Sequence, residues 1–178
     1  MQLFEDIKII TLFSLAFFSI FLFTYKKGNR KSNFMLAAIY GFQALETLNS
    51  AFYRFSDFWI GQFPWVFYTT EFFFFLWGPA MYFFFKLSTD PDYEFKKRNL
   101  WHLAPAIIHT VFITFKFHIY SNEAKRILLE HGVMTFEEDF VIHFLRNASV
   151  IIYLVLSTMA ISKSRIDNKN RRSWLVFF

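Results

Sequence analysis

Cysteine is absent from all 178 residues, which excludes disulfides and thiolate metal sites. Also missing are a His-x3-His pair, a His-Glu-x-x-His motif, a Gly-rich phosphate loop and a nucleophile elbow. His102 and His109 stand seven apart on one face of a helix, and with Glu71 they make only a loose metal arrangement. His102 falls at the opposite membrane boundary from Glu71, so no metal, no cofactor and no catalytic residue is expected, and the chain does not read as an enzyme. A cleavable signal peptide is missing too. Glu5 and Asp6 occupy the place of its basic region, and no small-residue cleavage site precedes Lys26. There is no internal repeat and no low-complexity stretch beyond the run Phe72 to Phe75.

What is present is apolar sequence in long blocks. Five segments, at about residues 9–25, 34–53, 65–87, 100–120 and 140–161, each approach the ~20 residues that a helix needs to cross ~30 Å of hydrocarbon. Barrel strands would be half as long and would alternate polar with apolar. Helices satisfy their own backbone groups where water is absent, so the expected fold is all-α, a polytopic bundle of five full spans. Trp174 to Phe178 reads as the start of a sixth span, and residues 1–178 as a single membrane domain of a longer chain.

Charge gives the expected orientation. Of 19 Lys and Arg, 13 flank one side: Lys26, Lys27, Arg30 and Lys31; Lys86, Lys96, Lys97 and Arg98; and Lys163, Arg165, Lys169, Arg171 and Arg172. Lys8, Arg54, Lys116, Lys125 and Arg126 flank the other, and Arg146 lies inside a segment. The positive-inside rule makes the rich loops cytoplasmic and the N-terminus external. The net charge of +5 is thus a topology signal and calls for no nucleic-acid partner.

Local signals mark ends and kinks. Thr135-Phe-Glu-Glu138 matches a capping box, with Asp139 adding charge at the positive end of the dipole. Asn122 to His131, followed by Gly132, reads either as a short external helix on the membrane surface or as a polar loop. Gly78-Pro79 predicts a kink inside the third segment, and Pro105 is a further candidate.

Ionisable groups within spans cost roughly 2.5 to 3.5 kcal/mol each at mid-helix on insertion scales. Glu46, Glu71, Lys116 and Arg146 all fall in one layer, ~6 to 11 Å below the outer surface at about 1.5 Å per residue. Gln43, Glu46, Thr47 and Ser50 share one helix face, as do His143, Arg146 and Asn147. With His118 at a similar level, these residues form either a polar sensing chamber or a structural arrangement. In the structural case Glu46 or Glu71 pairs with Arg146 and Lys116 reaches outward.

The stretch Leu76 to Pro105, LWGPAMYFFFKLSTDPDYEFKKRNLWHLAP, carries Gly78-Pro79 with Tyr82, Asp90-Pro91 with Lys96 to Arg98, and Leu100-Trp-His102 with Pro105. These elements resemble a recurrent segment in the N-terminal membrane region of AraC-type transcriptional regulators from the Bacteroidetes. The resemblance implies a multi-pass input module in a bacterial inner membrane, belonging to a one-component regulator whose helix-turn-helix lies C-terminal to this chain. The expected partners are the lipid bilayer that the apolar spans require, an unidentified external or membrane ligand and a second copy of the chain, with DNA, by the resemblance, reached only through that further domain. A sensor-kinase input module and a proton-coupled or small-solute transporter remain as alternatives.

Overall fold

A computed structural model describes residues 2–54, 56–90 and 92–162. It is all-helical among the described residues, with seven α-helices: α1 Gln2–Thr24, α2 Arg30–Arg54, α3 Ser56–Gln62, α4 Phe74–Thr89, α5 Ala104–Ile113, α6 Asn122–His131 and α7 Phe136–Ser162. The expected sixth span and the basic loop at 163–173 lie outside the described residues.

Three stretches are long and apolar enough to cross a membrane: Ile7–Thr24 in α1, Lys97–His118 through α5, and Phe136–Ser162, which is α7. The five full spans of the sequence reading are therefore reduced to three by this measure. The other two segments depart for different reasons. α2 has 25 residues, but Gln43, Glu46, Asn49 and Ser50 dilute its apolar character. α4 has only 16 residues. The outer part of the expected third segment is instead a 3-10 turn at Pro64–Val66, an irregular stretch, and a second 3-10 turn at Glu71–Phe73.

Packing runs in a row. α2 sits between α1 and α4, α4 sits between α2 and α7, and α5 joins α4. Two glycines set the close approaches. A Cβ on Gly41 would lie 3.0 Å from Ser19 Oγ, which donates to the Ala37 carbonyl at 2.8 Å. A Cβ on Gly78 would lie 2.6 Å from Cδ2 of Tyr153, so α4 meets α7 through a bare backbone. Small residues serve membrane helix contacts in this way because apolar driving force is absent in lipid. Met81, Phe85 and Tyr153 form the buried cluster beneath this contact. Large side chains such as Phe13, Ile108, Phe140 and Ile151 point outward from α1, α5 and α7.

The two proline positions differ. Pro79 lies inside α4, whereas Pro105 stands in the first turn of α5, where its missing N–H costs nothing, so it starts that helix and does not kink its interior. α5 is preceded by 3-10 backbone at Lys97–Leu103 and continues as π-helix at Thr114–His118.

The loops sort into two ends. Asn29 Nδ2 donates to the Leu87 carbonyl at 2.9 Å, Ser32 and Ser88 share a 2.6 Å hydrogen bond, and Lys31 Nζ donates to the Tyr93 carbonyl at 3.4 Å. These contacts bring Lys26 to Lys31 beside Lys86 and the Lys96 to Arg98 cluster. At the opposite end Arg126 of α6 donates to the carbonyls of Ile60 and Gly61, at 3.2 and 2.5 Å. α6 is the short helix that the residues 122–131 allowed, capped by Ser121 and closed by Gly132 at φ +96°. Lys125 is buried and donates to the carbonyls of His118 and Tyr120, at 3.0 and 2.6 Å, so a cation satisfies the C-terminal end of the π stretch.

Candidate functional site

The site is assembled where the third segment breaks. Phe67 is buried against Phe117 and Val133, and Tyr68 packs at a 58° tilt against Phe117 with ring centroids 5.1 Å apart. Pinned between these rings, the chain passes through Tyr68 at φ +66°, the left-handed region that a non-glycine residue occupies at a cost of about 1–3 kcal/mol. Strain of this kind persists only where the surroundings over-determine it. Irregular backbone at membrane depth is tolerated where it is buried in protein or lines a wet cavity.

A cavity of about 410 Å³ adjoins that break. From α2 it is lined by Glu46, Asn49, Ser50 and Tyr53; from the broken stretch and α4 by Tyr68, Glu71, Phe74 and Phe75; and from α5 by His109. Met134, Asp139, Ile142, His143 and Arg146 complete it. Asp139 and His143, 3.5 Å apart, are both more than half exposed and form its rim. A second cavity of about 200 Å³ shares Glu46, Phe74 and Arg146, and adds Gln43 and Asn147.

The polar layer of the sequence reading is thus largely brought together, but its internal pairing differs. Glu71 does not meet Arg146. Its Oε2 lies 3.0 Å from Nε2 of His109, with the two side chains 14% and 5% exposed, and the His109 ring also packs on Phe75. Glu46 accepts from Gln43 Nε2 at 3.1 Å. Arg146 lies over the Phe74 ring, 5.2 Å from its centroid, and among the described residues no carboxylate comes within 4.0 Å of it. Equal depth had suggested an Arg146 ion pair; depth leaves the rotation of each helix about its axis free, and that rotation decides the partner.

Lys116 leaves the layer. Its Nζ lies 2.6 Å from Oε1 of Glu138, tying the π stretch to the first turn of α7. Glu138 still completes the capping box: its carboxylate accepts from the Thr135 N–H at 3.0 Å, and Thr135 Oγ1 accepts from the Glu138 N–H at 3.3 Å. His118 contributes its carbonyl to Lys125 and does not line the cavity. His102 and His109 do share an inward face, but to separate ends: His102 Nδ1 hydrogen-bonds the Tyr153 hydroxyl at 2.7 Å. Among the described residues no group of three or more His, Asp or Glu is placed to hold a metal ion.

Asn49, Tyr53, Tyr68 and Asp139 line the site without having been singled out for it, and His109 had been set beside Glu71 only as a loose metal arrangement. A signal for two of them existed. Glu46, Asn49, Ser50 and Tyr53 also follow the i, i+3, i+4, i+7 spacing, so α2 presents two overlapping polar stripes and the larger cavity uses the second. Thr47, on the first stripe, turns its hydroxyl back to the Gln43 carbonyl at 2.9 Å.

Asn49 carries the most informative detail. It is 6% exposed, and its Oδ1 has no hydrogen-bond partner. Thr70 Oγ1, next to Glu71, is buried and unpartnered as well. Such groups are uncommon because each costs about 1–3 kcal/mol. The arrangement can hold a small polar molecule by hydrogen bonds and charge, with aromatic walls from Tyr53, Tyr68, Phe74 and Phe75. No family model, no curated protein and no solved structure matches this chain.

Proposed function

We propose that this chain is the membrane-embedded sensory region of a one-component, AraC-type transcriptional regulator, multi-pass in the bacterial inner membrane. The observation that carries the sensory part is the roughly 410 Å³ cavity, lined by Glu46 of α2, Glu71 of the second 3-10 turn, and Asp139 and Arg146 of α7, with Asp139 and His143 on its exposed side. Charged groups inside a bundle are costly and mark ligand or ion sites. The AraC assignment rests on the resemblance of Leu76 to Pro105.

In this reading α2 and α4 cross the membrane together with α1, α5 and α7. α2 packs between α1 and α4, and its polar residues face cavities, so its lower hydropathy does not put polar groups into lipid. The end carrying Lys26 to Lys31 and Lys96 to Arg98 is cytoplasmic, and the cavity opens outward. A ligand drives signalling only through a difference in affinity between two helix arrangements. α4, whose Phe74 and Phe75 line the cavity, meets Tyr153 at Gly78, and Tyr153 meets His102 near the basic end, which offers a route between the two.

One observation favours a second reading. A broken helix beside a polar cavity is also how transporters build substrate sites. The coding sequence that follows residue 178 discriminates. A helix-turn-helix with a basic recognition helix supports the regulator; an ATP-binding kinase domain makes this the input of a sensor kinase; further apolar spans alone favour transport.

A further inference from the structure

The unused hydrogen-bonding capacity of the cavity defines what would fill it. Arg146 presents five N–H donors, and among the described residues it has neither a carboxylate within 4.0 Å nor a hydrogen bond; its contact is the Phe74 ring. A guanidinium in a membrane helix without an anion calls for one. Asn49 Oδ1, on the facing helix, is an acceptor without a donor in a side chain 6% exposed. Glu46 and Glu71 each have one carboxylate oxygen engaged, by Gln43 and His109, which leaves the other free to accept.

A purely anionic ligand such as phosphate satisfies Arg146 but meets Glu46, Glu71 and Asp139 across the same cavity. A simple amine satisfies the acceptors and leaves Arg146 unpaired. We propose that the cavity binds a small zwitterion carrying both an ammonium and a carboxylate, an α-amino acid in class. The carboxylate lies on Arg146, and the ammonium lies between Asn49 and the Glu46 and Glu71 carboxylates. This rests on the cavity being the sensory site. The walls supplied by Tyr53, Tyr68, Phe74 and Phe75 favour an apolar or aromatic side chain over a charged one.

The test is calorimetric titration of the purified full-length protein in lipid nanodiscs with each standard L-α-amino acid. The strongest binder is then compared with its decarboxylated amine and its deaminated acid. Saturable binding of an amino acid, with each truncated analogue weaker by about tenfold or more, supports the proposal. Arg146→Lys keeps the charge, and hence insertion, but loses the planar fork; about a tenfold loss of affinity is expected, and a loss on Asn49→Leu as well. Equal binding of the amine, an Arg146→Lys variant that binds as wild type does, or no binding by a protein that still unfolds cooperatively, each overturns it. A reporter of transcription separates the two claims. A response to some other chemical class without amino-acid binding keeps the sensory reading and rejects the zwitterion, whereas binding without any response does the reverse.

Discussion

Arg146 and His109 line one cavity and have opposite energetic standing, which makes them a matched pair for mutation. His109 is the partner of a carboxylate that is 14% exposed, so His109→Leu strands Glu71 in a poorly solvated place. Leaving a poorly solvated hydrogen-bonding group without its partner costs about 1–3 kcal/mol, and more where the group is charged. Arg146 has no such partner among the described residues, and Arg146→Leu removes a charge that no carboxylate offsets, a cost of up to roughly 2.5–3.5 kcal/mol for a charge at the centre of a span on insertion scales. Thermal unfolding in detergent should therefore show His109→Leu clearly destabilised and Arg146→Leu unchanged or stabilised. An Arg146→Leu protein that unfolds as readily as His109→Leu would mean that Arg146 holds the bundle after all. The depth of Glu46, Glu71 and Arg146 was legible because rise per residue is fixed. Glu71 and His109 had been set together only as a loose metal arrangement, and their direct hydrogen bond was not legible, because nothing in one chain's spacing says how far each helix is rotated toward its neighbour.

At the scale of elements, the first, second and fifth apolar blocks are each kept as one α-helix, and the third and fourth are broken by 3-10, irregular or π backbone. α1 and α7 appear where the blocks 9–25 and 140–161 placed them, and the Thr135 capping box starts α7 as its residues specify. The third block breaks at Phe67 to Thr70 although its composition is apolar, because Phe67 and Tyr68 are drawn to Phe117 by tertiary packing that propensity does not register. The contact of α4 with α7 supplies a prediction. Gly78→Ala places a methyl 2.6 Å from the Tyr153 ring, whereas Gly61→Ala in α3 meets nothing within 4 Å. Overpacking costs typically about 1–3 kcal/mol, so Gly78→Ala should lower the unfolding temperature while Gly61→Ala leaves it nearly unchanged. Because Tyr153 also holds His102 at 2.7 Å, a shift of its ring should disturb that bond. Equal stability of the two variants would show that α7 moves aside at no cost, and α4 would then be a poor route from cavity to basic end.

At the scale of the whole molecule, the two ends differ in charge in a way that packing makes mutual. The loop at 25–29 is tied to the C-terminal turn of α4 through Asn29 and Leu87, and Ser32 is tied to Ser88, so these basic segments must emerge on one side. α6 is tied to α3 by Arg126, which puts 56–62 and 122–131 together on the other. Relative placement therefore follows from hydrogen bonds, and only the absolute direction depends on the positive-inside rule. Residues 1–178 contain no native cysteine, so within them a single introduced cysteine is the one thiol for labelling in intact cells to report. Asp92→Cys should resist a membrane-impermeant thiol reagent until the cells are opened, and Glu123→Cys in α6 should label at once. Labelling of both from outside would contradict α4 as a crossing helix, since α4 and the stretch through α5 would then return to the side they left. Labelling of Asp92→Cys alone would invert the molecule, turn the cavity rim at Asp139 and His143 toward the cytoplasm, and replace an external ligand with an internal one.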